Sequence, residues 1–187
     1  MRSLSSRPSP RGPLDGATLP DGEAFALARA QGRASVFARR RGRGAGRRRR
    51  VRGGASGSPG VASAGSRAAL WLGPDEWLLV AEGERPDALA AALAAAIGDR
   101  PHSLVDVSQR QIGLDVAGPL AARASAGCPL DLREAAFPVG FATRTMLAKS
   151  EIVLWRRGPN AYRVEVWRSF ADYVAAFLAE AARRAPA

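Results

Sequence analysis

Cysteine, histidine and lysine each occur once in these 187 residues, as Cys128, His102 and Lys149. A single cysteine excludes an intrachain disulfide, and one cysteine with one histidine cannot make up a Cys/His zinc cluster. A reducing compartment fits that usage, so a cytoplasmic protein is expected. Long apolar runs are missing as well. The longest, residues 88–97, is about half of what spans a bilayer, and the opening "MRSLSSRPSPRGPLDG" has charge without an apolar stretch. No membrane is expected among the partners.

Acidic residues are absent from residues 33–67, which hold eleven arginines. The chain as a whole carries a formal charge of +11, but outside this block seventeen basic residues face seventeen acidic ones. Charge therefore belongs to one segment and not to the domain, which weakens the case for a polyanion partner. Aromatics are scarce inside the block beyond Phe37, so base stacking by an arginine-rich tail lacks its platform. "GRGAG" in the same block is no dinucleotide loop, because no amphipathic helix follows and the next acid is Asp75.

Ordered sequence is expected from residue 68. "AALWLGPDEWLLVAEG" reads as two strands joined at Gly73, Pro74, Asp75 and Glu76. "RPDALAAALAAAIGDRP" reads as a helix, with Pro86 in its first turn and Gly98 as its C-terminal cap. Two short strands follow in "SLVDVSQRQIGLDVAG", with Asp106 and Ser108 capping the turn between them, then a short helix from Pro119 to Gly127. "FATRTMLA", "SEIVLWRR" and "AYRVEVW" are three further strands. In "SFADYVAAFLAEAARR", Phe170, Tyr173, Val174, Phe177, Leu178 and Ala181 share one helical face, and Ser169 with Asp172 resembles a capping box. The order ββαββαβββα with short loops predicts an α+β fold with a mostly antiparallel sheet and about three helices. Upstream, residues 23–38 are compatible with one short helix or strand.

"ALWL", "WLLV" and "IVLW" are apolar at every position, so part of the sheet must be covered on both faces. Either the chain's own helices divide between the faces, or the N-terminal segment covers one, or another chain supplies the cover.

Catalytic chemistry is not evident. His102, Ser103 and Asp106 have the residue types of a triad, but no nucleophile elbow accompanies them, and His102 is expected in a solvated loop. Cys128 lies between Gly127 and Pro129 and reads as a small buried hydrophobe. Asp75 and Glu76 read as solvated turn residues. No catalytic, cofactor-binding or metal-ligating residue is assigned.

Four segments, "ALWLGPDEWLLVA", "VDVSQRQIGLDVAGP", "GCPLDLREAAFPVG" and "TMLAKSEIVLWRRGPNAYRVEVWRSFADYVAAFL", resemble the gamma chain of heterotetrameric sarcosine oxidase, in that family's order and spacing. The matching positions include Gly73, Pro74, Asp75, Trp77, Asp106, Ser108, Gly118, Pro119, Cys128, Pro129, Asp131, Leu132, Phe137, Trp155 and Arg163. The resemblance implies a fold related to the folate-binding domain of the glycine-cleavage aminomethyltransferase. It implies three partners: an alpha chain with NAD and a tetrahydrofolate site, a beta chain with FAD and covalent FMN, and a small zinc-binding delta chain. It implies no cofactor and no catalytic residue on this chain, within a complex that oxidises sarcosine to glycine, hydrogen peroxide and a one-carbon unit. Two other functions stand beside it, a free-standing folate-binding one-carbon protein and an arginine-tail nucleic-acid binder.

Ahead of "ALWLGPDEW" the family has ordinary sequence, whereas this chain has the arginine block. GC-rich DNA read out of frame yields Arg, Gly, Ala, Ser and Pro. Residues 37–67 therefore read as a frame-shifted stretch, residues 1–67 as poorly ordered, and residues 68–187 as the gamma-like domain.

Overall fold

Two five-stranded sheets lie face to face, with helices on their outer surfaces. The computed structural model describes residues 12–30, 33–40 and 60–184. The first sheet has the order β1 (Ala26–Arg29), β7 (Gln111–Ala117), β10 (Ala161–Trp167), β9 (Ser150–Gly158), β8 (Ala142–Leu147). The second has the order β3 (Val61–Ala64), β4 (Arg67–Gly73), β5 (Glu76–Glu82), β2 (Arg33–Arg40), β6 (His102–Asp106). Every pairing between these strands is antiparallel. With helices α1 (Pro86–Ile97), α2 (Ala121–Ala124) and α3 (Ala171–Arg184), the order from residue 67 onward is ββαββαβββα, as the sequence predicts.

The layering follows from strand alternation. In β9, Ile152 and Leu154 point to one side and join Leu114, Val164, Val174 and Leu178 in the core under α2 and α3. Val153 points to the other side and meets Ala68, Leu70, Leu78 and Val80 of the second sheet. The far side of that sheet, through Ala34, Val36 and Ala81, receives Leu89 of α1. Strand β9 is thus covered on both faces within the chain, whereas Ala69, Trp71, Trp77 and Leu79, on the outward face of β4 and β5, are half-buried. A second sheet provides cover that three helices alone cannot, and the pattern of apolar residues does not distinguish one sheet from two.

Local signals act as expected at the helix α1 ends. Pro86 opens it, and Gly98 closes it with φ 64° and its N–H donating to Ala94 O at 2.9 Å. Helix α3 differs from the expected face. Ala171, Val174, Ala175, Leu178 and Ala182 are its buried residues, whereas Phe170 and Tyr173 are exposed. The 3-10 turn Arg168–Phe170 precedes α3, and small alanines let it pack closely against α2, so the stripe rotates away from the largest side chains. Asp172 accepts the N–H of Leu14 at 2.8 Å, a tie to the far N-terminal loop in place of a closed capping box.

The folded unit begins well before residue 68, contrary to the expected boundary. Strand β1 pairs with β7, β2 sits between β5 and β6, and β3 pairs with β4. "ALAR" and "RASVFARR" are too short and too weakly patterned to declare themselves; their partners, distant in sequence, make them strands. The remainder of the arginine block, residues 41–59, lies outside the described residues, as do residues 1–11.

Candidate functional site

Alternation along β10 aims Arg163 and Glu165 at the second sheet, and both are buried. Arg163 Nη2 donates to Glu82 Oε1 of β5 at 2.6 Å, its Nε stands 2.8 Å from Asp115 Oδ1 of β7, and its Nη1 is 3.6 Å from Glu165 Oε1. Arg157 joins the cluster from β9, 3.4 Å from Glu82 and 3.2 Å from Asp115, and its guanidinium lies over the Trp155 ring at 5.2 Å. A guanidinium taken out of water requires this degree of pairing. The cluster joins three strands of one sheet to β5 of the other. A cleft of about 310 Å³ at the sheet rim borders it, lined by Arg67, Glu82, Trp155 and Arg157 among others.

A second arginine organises the loop after Cys128. Arg156, on the opposite side of β9, is buried and donates to Phe137 O at 2.8 Å, Pro159 O at 2.9 Å, Gly158 O at 3.3 Å and Leu132 O at 3.4 Å. It also pairs with Glu134 at 2.8 Å. Carbonyls that the loop cannot satisfy within itself are therefore collected on one side chain. Phe137 is buried, with its ring edge-on to Phe141 at 4.9 Å. Asp131 accepts three hydrogen bonds from the Arg133 guanidinium and one from its N–H, which hold its carboxyl down to about 2. Cys128 is buried, as the sequence predicts, and burial pushes its thiol up. Pro129 is exposed and Leu132 half-buried beside them.

The remaining predicted positions are turn and packing residues. Pro74 and Asp75 form the two-residue turn between β4 and β5, and Trp77 sits opposite Trp71 across that hairpin. Glu76 opens β5 and approaches Arg39 at 3.8 Å and Arg144 at 3.4 Å, so it is an ion-pair partner more than a free turn carboxylate. Asp106 accepts the N–H of Ser108 at 2.9 Å, the expected turn cap, and Ser108 Oγ accepts the N–H of Ser35 at 2.9 Å. Gly118 has φ 102°, and a Cβ there would lie 2.5 Å from Ala24 O; Pro119 follows it at the surface.

His102 is the first residue of β6 and half-buried, not in a loop, with Nδ1 2.7 Å from Arg100 O. Ser103 points to the other face of the strand, and Asp106 lies about 13 Å along it, so the three do not converge. Among the described residues, no group of three or more His, Cys, Asp or Glu is placed to hold a metal ion. No described helix is long and apolar enough to cross a membrane.

A second, open cleft of about 890 Å³ lies where β10 runs into α3, facing the loop 12–17. Arg110, Trp167, Arg168 and Asp172 line it. The Arg110 guanidinium lies 4.7 Å from the centre of the Trp167 ring. Neither this cleft nor Arg156 was singled out by sequence pattern. Parity was the available signal for Arg156, which shares a face with Ile152 and Leu154, whereas the cleft depends on a long-range contact.

Comparison with solved structures places the architecture first. Aminomethyltransferase T of the glycine cleavage system from Bartonella henselae has the same fold, with a TM-score of 0.57 over 83% of this chain and 45% of that one, at 11% identity. A chain of the heterotetrameric sarcosine oxidase from Corynebacterium sp. U-96, solved in complex with pyrrole 2-carboxylate, is more similar: TM-score 0.72, 28% identity, 93% of this chain and 95% of that chain. The sequence model of the sarcosine oxidase gamma subunit family matches residues 58–184, and the chain belongs to that family. The sarcosine oxidase subunit gamma of Corynebacterium sp. (strain P-1) is 39% identical over 123 residues, 65% of this chain and 59% of that protein. The subunit gamma of an Arthrobacter species is 37% identical over 123 residues, again 59% of its length. The aligned region thus spans less than two thirds of these relatives.

Proposed function

We propose that the chain is a non-catalytic gamma subunit of a heterotetrameric, flavin-dependent sarcosine oxidase, acting in assembly and subunit packing. One observation carries this reading: 93% of the chain superposes on 95% of a chain from a solved heterotetrameric sarcosine oxidase. The family resemblance supplies the finer detail. Alpha, beta and delta chains are the partners; NAD and tetrahydrofolate belong to alpha, FAD and FMN to beta, and zinc to delta. The complex converts sarcosine to glycine, hydrogen peroxide and a one-carbon unit, in the cytoplasm. Arg163 and the other motif residues, together with Arg156, serve this role by holding the two sheets and the 128–141 loop in one shape.

Co-expression with the alpha, beta and delta chains of a sarcosine oxidase from the same genome tests the reading. The chain should co-purify with them at equal stoichiometry, and leaving it out should deplete assembled, sarcosine-oxidising complex. A monomer that joins none of them would overturn it. The fold shared with an aminomethyltransferase is compatible with a second reading, a free-standing folate-binding protein. Calorimetric titration of the isolated chain with tetrahydrofolate separates the two, since the subunit reading expects no heat of binding.

A further inference from the structure

Three of the large apolar side chains most open to water, Trp167, Phe170 and Tyr173, follow one another at intervals of three, across the end of β10 and into α3. Their exposures are 43%, 43% and 41%, and Trp167 forms one wall of the 890 Å³ cleft. Arg110 and Arg168 flank that wall. Arginines elsewhere on the described surface commonly face acids, as Arg67 faces Glu84 and Arg144 faces Glu76. Arg110 and Arg168 have no ion pair among the described residues. The two carboxylates of the cleft are already engaged, Asp172 by the Leu14 N–H and Asp15 by Arg29.

Resting on the subunit reading above, we infer that this cleft and its aromatic rim dock an acidic segment of another protein chain of the complex. Its carboxylates meet Arg110 and Arg168, and an apolar side chain beside them covers Trp167, Phe170 and Tyr173. Tryptophan, tyrosine and arginine around a concavity are the residue types that dominate binding energy at protein interfaces. Two unneutralised guanidiniums beside an apolar wall select a partner of opposite charge. A continuous polyanion such as nucleic acid fits less well, because Asp15 and Asp172 line the same cleft. The chain's own N-terminus fits less well too: residues 1–11 bring Arg2, Arg7 and Arg11 and no acid.

The test uses the full chain co-expressed with the alpha, beta and delta chains of a sarcosine oxidase from the same genome, comparing wild type with R110E/R168E, W167A/Y173A and the exposed control R85E. Circular dichroism melts of each isolated variant confirm folding. Both patch variants should weaken retention in the complex about tenfold or more, with R110K/R168K closer to wild type and R85E unchanged. Retention of folded patch variants equal to wild type overturns this inference and leaves the subunit reading intact. Failure of the wild-type chain to assemble overturns both. Two other outcomes also overturn it: loss of self-association in the isolated patch variants, which makes a second copy the occupant, or a lowered melting temperature shared with a deletion of residues 1–11, which makes it the N-terminus.

Discussion

Arg163 of β10 and Glu82 of β5 join the two sheets through a 2.6 Å hydrogen bond whose donor is 1% exposed and whose acceptor is 46% exposed. The asymmetry separates the effects of removing each partner. Arg163→Ala takes the guanidinium away from Glu165, fully buried on the same strand, and leaves Asp115 with Arg157 at 3.2 Å. Breaking a buried pair in that way costs about 3–5 kcal/mol. Glu82→Gln removes one carboxylate that water already reaches, and Arg163 keeps Asp115 at 2.8 Å, so the expected loss is about 1 kcal/mol or less. Urea unfolding followed by tryptophan fluorescence measures both, and equal losses would contradict the asymmetry.

Gly118 should tolerate no side chain. It follows β7 at φ 102°, and its missing Cβ is the space that lets Ala24 O approach. That close approach accompanies the Leu120 N–H donating to the same carbonyl at 3.0 Å, which ties the strand-to-helix corner to the segment before β1. Gly118→Ala adds backbone strain of about 1–3 kcal/mol and pushes the two segments apart. A fall in melting temperature, with faster amide exchange at Leu120 and Leu27, is the expected signature.

Legibility divides along the same line as locality. Strands β7 to β10 and helix α1 stand in the sequence because their signals are short-range: the alternation of "IGLDV" and "YRVEVW", the Pro159-Asn160 turn, Pro86 and Gly98. The Asp106–Ser108 turn and the burial of Cys128 were legible for the same reason. Strands β1 and β2 were not, since "ALAR" and "RASVFARR" gain their conformation from β7, β5 and β6 across long sequence separations. Neither was the second sheet, because an apolar residue reports that it is covered and not by what. Helix α3 shows the limit of pattern from another side. Its buried stripe is set by alanines that permit close approach, and the larger Phe170 and Tyr173, which dominate any count of hydrophobicity, are left at the surface. Arg163 entered through family resemblance alone, and the Arg110–Trp167 contact through nothing in the sequence.

Cys128 should react slowly while the chain is folded. It is 6% exposed, and burial disfavours the thiolate that alkylating agents require, so at neutral pH the reactive form is scarce as well as shielded. Iodoacetamide labelling followed by mass spectrometry should leave the native chain unmodified over a period that modifies it fully in denaturant. Rapid native labelling would place the thiol in a more open setting than the core beneath α3.

The Asp131 carboxyl should titrate near 2, below its ordinary value of 3.8, because Arg133 hydrogen-bonds the charged form. The sign follows directly. A carboxylate with a lowered native pKa stabilises the fold above its unfolded value, and that contribution fades as pH falls from about 4 toward 2. Both side chains are solvent-exposed, so the measurable effect is on titration more than on stability. Carbon-13 NMR should show the midpoint of Asp131 returning toward its ordinary value in Arg133→Gln, with the other carboxylates unmoved.

The arginine block yields a prediction about the gene. Strand β2 is paired with β6 through Arg40, and the match to the family model begins at residue 58. A frame-shifted stretch, expected from sequence over residues 37–67, is thereby narrowed to about residues 41–57, the part that joins one recognisable strand of the fold to the next. Its seven arginines, one valine and no acid match what GC-rich DNA yields in a wrong frame. Resequencing the gene should find a compensating pair of insertions or deletions flanking these codons. Translation of the corrected frame should restore mixed charge and a periodic apolar pattern there, extending the match to the relatives toward β2. An unaltered gene, together with an intact mass and tryptic peptides covering residues 41–57 as written, would make the block a genuine insertion between β2 and β3.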